Sequence, residues 1–140
     1  MTFAQDVGNF AEERAAEYLI SLGWLILGRN IKNEFGEIDI AAIDTGKNKI
    51  GVRLKELVIV EVRARTLGKI QSPLESIGTR KLRTLINASR LFIDDNDWDG
   101  FWRIDVIGIT FHNKIKQLEN NNDWHLEHVK DVTSGMNIFS

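Results

Sequence analysis

Apolar positions recur at helical spacing over residues 3–22, where Ala4, Val7, Ala11, Ala15, Tyr18, Leu19 and Leu22 form one stripe. Thr2 with Gln5 fits a capping box, and Gly23 stands where a C′ glycine belongs. Glu12, Glu13 and Glu17 lie off the stripe and read as a solvated face. The pattern then changes to strands. Trp24–Leu27 is a short apolar run, Arg29–Phe35 is polar and reads as a turn or strand end, and 37–43 alternates. In that second strand Ile38, Ile40 and Ala42 are expected on one face, with Glu37, Asp39 and Ala41 on the other.

Asp44–Glu56 is polar and reads as a hairpin loop. Leu57–Ala64 is a third strand, and its continuous apolar run predicts a central position covered on both faces. Glu61 interrupts that run. A buried carboxylate is costly unless it is paired or binds a metal, so Glu61 is the sharpest anomaly in the chain. Arg63 and Arg65 follow at two-residue spacing and share its face. If the second and third strands pair, Asp39, Glu61 and a guanidinium converge.

A second helix is announced by Ser72 at N-cap, Pro73 at N1 and Glu75 at N3. Its stripe is Ile77, Gly78, Leu82, Leu85, Ala88, Ser89 and Phe92, which leaves Arg80, Lys81, Arg83 and Arg90 at exposed positions. These basic residues suit either a solubilising face or a nucleic-acid contact. Asp95–Gly100 resembles half of a calcium loop, but the twelfth position, Val106, is not a bidentate acid, so an acidic turn is expected. Phe101–Phe111 alternates as a fourth strand, in which Asp105 either supports the site or pairs with Arg103. The tail offers a short strand at Lys114–Leu118. His125 and His128 would share a face if that segment were helical, and without a third ligand they read as surface histidines.

With 140 residues the chain suits one domain, 1–140, with a core at about 3–111 and an extension at 112–140. No cysteine is present, which excludes disulfides and thiolate sites and fits a reducing cytoplasm. The N-terminus shows no signal-peptide pattern, and no apolar run is long enough to span a membrane. The net charge of −2 hides a division. Residues 29–90 carry thirteen basic and seven acidic side chains, whereas both flanks are net acidic. A basic middle is a footprint for a polyanion, and it also fits chance clustering on a solvated surface.

Several short motifs now fall into order. They are Gly8-x-x-x-Glu12 with Ala15 and Tyr18-Leu19, then Arg29-Asn30, Gly36-Glu37-Ile38-Asp39-Ile40 and Val60-Glu61-Val62-Arg63-x-Arg65. Pro73-Leu74-Glu75-Ser76, Lys81, Ala88 and Arg103-Ile104-Asp105-Val106 complete the set. Together, over about residues 7–110, they resemble the PD-(D/E)XK nuclease superfamily. More closely they resemble the YraN-like family of uncharacterised bacterial proteins, related to archaeal Holliday junction resolvases.

The resemblance implies an α/β, restriction-endonuclease-like fold, a central four-stranded mixed sheet flanked by helices in the order αβββαβ. It implies Mg²⁺, with Mn²⁺ as a substitute, on Asp39, Glu61 and the Val62 carbonyl, with Glu12 assisting from the first helix. The expected activity is endonucleolytic cleavage of DNA, branched or damaged DNA included. Arg65, Lys69, Arg80 and Lys81 are candidate nucleic-acid contacts. Resolving a junction takes two cuts, which suits a homodimer.

The motif departs at Arg63, where the superfamily has lysine. Arginine keeps its proton, so it can clamp phosphate but not act as a base. Ile38 replaces the motif's proline, and the Asp44–Glu56 insert is longer than the family leads one to expect. The alternative reading is a non-catalytic nucleic-acid-binding module. A third is an interaction domain in which Glu61 is merely ion-paired.

Overall fold

The computed structural model describes residues 3–46, 54–66, 73, 75–112 and 123–133. The elements run α1 (Phe3–Ser21), β1 (Leu25–Asn33), β2 (Gly36–Asp44), β3 (Glu56–Thr66), α2 (Thr79–Asp95), β4 (Phe101–Phe111) and β5 (Trp124–Val129). The strands form one mixed sheet of five in the order β1-β2-β3-β4-β5. β2 pairs antiparallel with both β1 and β3, β4 joins β3 in parallel and β5 closes antiparallel on β4. The expected mixed α/β architecture is present, with a fifth strand where four were expected. No helix among the described residues is long and apolar enough to cross a membrane.

Each helix covers one face of the sheet. Ala11, Ala15, Ala16 and Leu19 of α1 pack on Ile40, Ala42, Val58, Val60, Ile107 and Ile109. Leu85, Ile86 and Ala88 of α2 pack on Ala41, Ile43, Leu57, Ile59 and Ile104 from the other side. The buried run Leu57–Val60 therefore feeds both cores, as its unbroken apolarity predicts. α1 ends in a Schellman motif. Gly23, at φ 85°, donates to Ile20 O, and Trp24 donates to Leu19 O.

Four expectations are corrected. The polar run after Leu27 is strand, not turn: β1 continues to Asn33 and only Glu34 and Phe35 form the hairpin turn. Its polarity reflects an edge strand with a solvated face. α2 begins at Thr79 behind Gly78 rather than at Pro73. Pro73 is buried where a Cβ on Gly108 would come within 2.4 Å of its ring, and Ser76 Oγ donates to Pro73 O. The proline thus serves packing rather than N1, while the proposed cap Ser72, like the Lys114–Leu118 strand, lies outside the described residues.

The third correction concerns the tail. His125 and His128 lie on a strand, where a spacing of three sends side chains to opposite faces. The fourth concerns β2. Ile38 packs in the α2-side core, whereas Ile40 packs in the α1-side core, so the expected alternation breaks at Asp39.

Candidate functional site

The break at Asp39 coincides with the parting of two strands. β2 pairs with β3 from Asp44↔Glu56 to Ile40↔Val60 and no further. Beyond that point Asp39 Oδ2 accepts the Val62 N–H at 2.8 Å, a side chain standing in for a ladder bond. The carboxylate is thereby fixed at the fork, beside Glu61 and in reach of α1.

Glu61 is 4% exposed. Burial pushes its carboxyl up to about 8, helped by a hydrogen bond to the Asp39 carboxyl and by the Asp39 charge. The charges of Lys81 and Arg63 pull the other way. The Glu61 carboxyl is thereby held toward its neutral form in the free protein. Glu61 Oε2 is buried and has no hydrogen-bond partner, and Lys81 Nζ stands 3.7 Å from it.

Glu12 approaches from α1. Burial raises its carboxyl above the ordinary range, and the Asp39 charge adds to this. Arg29 opposes the shift with its charge, and both Arg29 and Asn30 oppose it with hydrogen bonds. The Arg29 guanidinium spans Glu12 Oε1 at 3.4 Å and Glu13 Oε2 at 2.9 Å. Asn30 sits in the left-handed region at φ 51°, opposite Asp39 in the β1–β2 register, a conformation that asparagine tolerates. In the sequence Asn30 stands out only as half of the Arg29-Asn30 motif. The usable signal was a polar residue inside a strand facing a candidate acid.

Between α1 and the fork lies a cavity of about 230 Å³, lined by Gly8, Glu12, Asn30, Glu37, Asp39 and Val62 among others. Glu12, Asp39 and Glu61 are thus electrostatically coupled around one point, with Asp39 in the middle. Among the described residues no three carboxylate or imidazole side chains close into a ready-made metal cage. The donor set nonetheless suits a hard cation that keeps waters: two adjacent carboxyls, one of them raised by burial, and a buried carboxyl oxygen without a hydrogen-bond partner.

The basic residues divide. Arg63 donates through Nε to Ser76 Oγ at 3.3 Å and through Nη2 to Ser76 O at 3.1 Å, so it anchors the segment before α2. Arg65 Nε meets Thr110 Oγ1 at 3.4 Å. Arg80 and Lys81 are exposed in the first turn of α2, and Lys81 approaches Glu61. Lys69 lies outside the described residues.

Asp105 is not part of this cluster. It binds Arg103 at 2.9 Å, His128 Nε2 at 2.8 Å and the Asp131 N–H at 2.9 Å. Burial pushes its carboxyl up, but hydrogen bonds from His128, Arg103 and Asp131 outweigh this and hold it below the usual range. Arg103 also binds Asp44 and Glu56, and His128 Nδ1 meets the Tyr18 hydroxyl. This network ties α1, β2, β3, β4 and β5 together.

The comparisons with known proteins agree with one another. The model of the uncharacterised protein family UPF0102 matches residues 11–109. A UPF0102 protein of Persephonella marina is 35% identical over 126 residues, spanning 89% of this chain and 93% of its own. One from Marinobacter nauticus is 37% identical over 108 residues, covering 76% of this chain and 80% of its own. One from Chlorobium chlorochromatii is 32% identical over 127 residues, or 91% and 90% of the two chains. The matched span begins next to Glu12 and takes in Asp39, Glu61 and Lys81. The chain belongs to the uncharacterised protein family UPF0102, the YraN family.

Proposed function

We propose that this chain is a Mg²⁺-dependent DNA endonuclease of restriction-endonuclease-like fold, acting on phosphodiester bonds of branched or damaged DNA. The observation that carries the reading is the orphaned Glu61 Oε2, buried beside Asp39 and 3.7 Å from Lys81. A carboxyl raised by burial at a strand fork, with a second acid and a cation against it, has the chemistry of a cation and phosphate site.

Asp39, Glu61 and the Val62 carbonyl would hold the ion. When bound, Mg²⁺ supplies a Lewis acid for the phosphate and a water of lowered pKa. The protein's own groups supply the rest. The Val62 N–H holds Asp39 in orientation. The Glu61 carboxyl, raised in the free protein, would be ionised as a ligand of the ion, its proton passing to solvent, and Lys81 would meet the negative charge that builds on the phosphate. Glu12, held by Arg29 and Asn30, faces the cavity and accepts a hydrogen bond from the attacking water. Arg63 keeps its charge and, through Ser76, positions the approach to α2. Lys81 thus brings to the site the ammonium that Arg63 cannot provide.

The test is incubation with branched and linear DNA in Mg²⁺ or Mn²⁺. Cleavage is expected from the native chain and not from Asp39→Ala or Glu61→Ala. Activity that survives both substitutions would sink the assignment. A second reading, a binding module without catalysis, is favoured by the engagement of Arg63 with Ser76. It predicts salt-sensitive DNA binding and no metal-dependent cleavage.

A further inference from the structure

The end of the β4–β5 pair carries a second cluster, on the sheet face turned away from α1. Phe111, Trp124 and Leu126 pack in the α1-side core. Their neighbours His112, His125 and Glu127 therefore point the other way. Thr110 and His125 are register partners, and the ladder runs one step past β4, where the His112 N–H donates to Asp123 O at 2.8 Å. His112 and His125 are thus diagonal neighbours across the two strands, and His112 Nε2 lies 2.7 Å from His125 Nδ1. Sequence spacing couples His125 with His128, yet the histidine that faces it stands thirteen residues back in the chain.

A third group fixes the protons. His125 Nε2 lies 3.1 Å from Glu127 Oε1. An ionised carboxylate only accepts, so in the neutral ring Nε2 carries the proton and Nδ1 keeps its lone pair. That lone pair is aimed at His112 Nε2. A carboxylate behind an imidazole is the arrangement that orients a metal-ligating histidine. Once the His112 proton moves from Nε2 to Nδ1, two lone pairs converge on one point. Two nitrogens that each bind one ion at about 2.0–2.1 Å stand about 2.9–3.3 Å apart, so the rings need to part by less than about 1 Å. The His125 side chain is 42% exposed, which leaves the point open to solvent.

We infer that His112 and His125 form a binding site for a late first-row divalent cation such as Zn²⁺, separate from Asp39 and Glu61. Imidazole nitrogens suit Zn²⁺, Ni²⁺ and Cu²⁺, whereas Mg²⁺ and Ca²⁺ take oxygen. The site is independent of the nuclease reading. Among the described residues no three His, Cys, Asp or Glu side chains close on one ion, so water fills the remaining positions. The ion bridges β4 and the edge strand β5. It therefore stabilises the folded chain by mass action, and it secures the strand that delivers His128 to Asp105.

The chain has three histidines, and His128 is engaged by Tyr18 and Asp105, so imidazole binding reports on this pair. The first measurement is isothermal titration calorimetry with ZnCl₂ at neutral pH, on an untagged Asp39→Ala chain in which the carboxylate centre is disabled. One Zn²⁺ per chain is expected. Adding His112→Ala or His125→Ala should abolish the binding, and adding Glu127→Gln should weaken it about tenfold. No binding, or binding that survives either histidine substitution, overturns the inference. The second measurement needs no substitution and so stands even if a variant folds poorly. Paramagnetic Ni²⁺, added below one equivalent to the native chain, should broaden the His112 and His125 ring signals before any others. Broadening that begins around Asp39, or at His128 alone, overturns the inference as well.

Discussion

Lys81 Nζ stands 3.7 Å from Oε2 of Glu61, bringing the first turn of α2 onto the middle of β3. The lysine side chain is 44% exposed, so the pair contributes little to stability. On the proposed nuclease reading its weight falls on catalysis. Lys81→Met is expected to lower single-turnover cleavage about 10²–10³-fold, the usual cost of losing one charge-stabilising donor. Stability should change by less than about 1 kcal/mol. Lys81→Arg should recover part of the rate. An unchanged rate in Lys81→Met would place the cation outside the chemistry.

The raised Glu61 carboxyl makes stability depend on pH. Glu61 is raised to about 8 in the folded chain, above its ordinary value of 4.5. A carboxyl raised in this way stabilises the fold fully below its unfolded pKa, and that stability is lost as pH rises through the folded value. The metal-free protein should therefore lose stability between about pH 4.5 and 8, by up to about 1.4 kcal/mol per unit. Mg²⁺ should restore the melting temperature at pH 8 and have little effect at pH 5. Glu61→Gln should remove both the pH slope and the response to metal. Differential scanning fluorimetry across that range reads all three.

Gly108 and Arg63 are register partners in the parallel β3–β4 pair, and both hold the chain that leads into α2. Gly108 makes space for Pro73 and Arg63 binds Ser76. Gly108→Ala would put a methyl 2.4 Å from Pro73 Cγ. Overpacking of this kind costs about 1–3 kcal/mol. Urea denaturation should show a lower midpoint, and cleavage should fall with it because Lys81 shifts with the start of α2. A midpoint equal to that of the native chain would mean that Pro73 moves aside freely.

Arg103 neutralises Asp44, Glu56 and Asp105 from a buried position. Arg103→Met would remove the buried guanidinium that those acids share and should cost about 3–5 kcal/mol. The pH response of this cluster has the opposite sign to that of Glu61. The Asp105 carboxyl is held below its ordinary 3.8, so its contribution is present above that pH and lost as pH falls further. Acid unfolding followed by circular dichroism should move to higher pH in Arg103→Met.

Legibility differed by element. The α1 stripe, its glycine stop and the central character of β3 could be read directly, because local periodicity and burial agreed. The Glu61 anomaly was equally plain, since an acid inside an apolar strand has few bland explanations. The polar stretch of β1 stayed open between turn and strand end, because an edge strand looks as polar as a loop. The start of α2 was misread because Pro73 and Glu75 satisfy a capping pattern that Gly108 and Arg63 override through tertiary contact. Of the two readings of Asp105, the pair with Arg103 is the one present, while its other partners, His128 and Asp131, lie more than twenty residues away and could not be read locally. The place of Lys81 was beyond periodicity altogether, since it depends on how the crossover between two parallel strands sets the helix down.

That crossover has a consequence for how the two halves of the site are kept in step. Lys81, Thr84 and Ala88 lie on one face of α2 at spacings of three and four. Gly36 packs against Thr84 so closely that a Cβ would come within 2.8 Å of its methyl, and Asn33 donates to Ala88 O at 3.0 Å. The helix thus grips the β1–β2 turn at its middle while presenting Lys81 to Glu61 at its start. Asp39, three residues beyond Gly36, is gauged against the same bar. The spacing between the cation and the paired acids is set by one rigid rod rather than by the loops that join them.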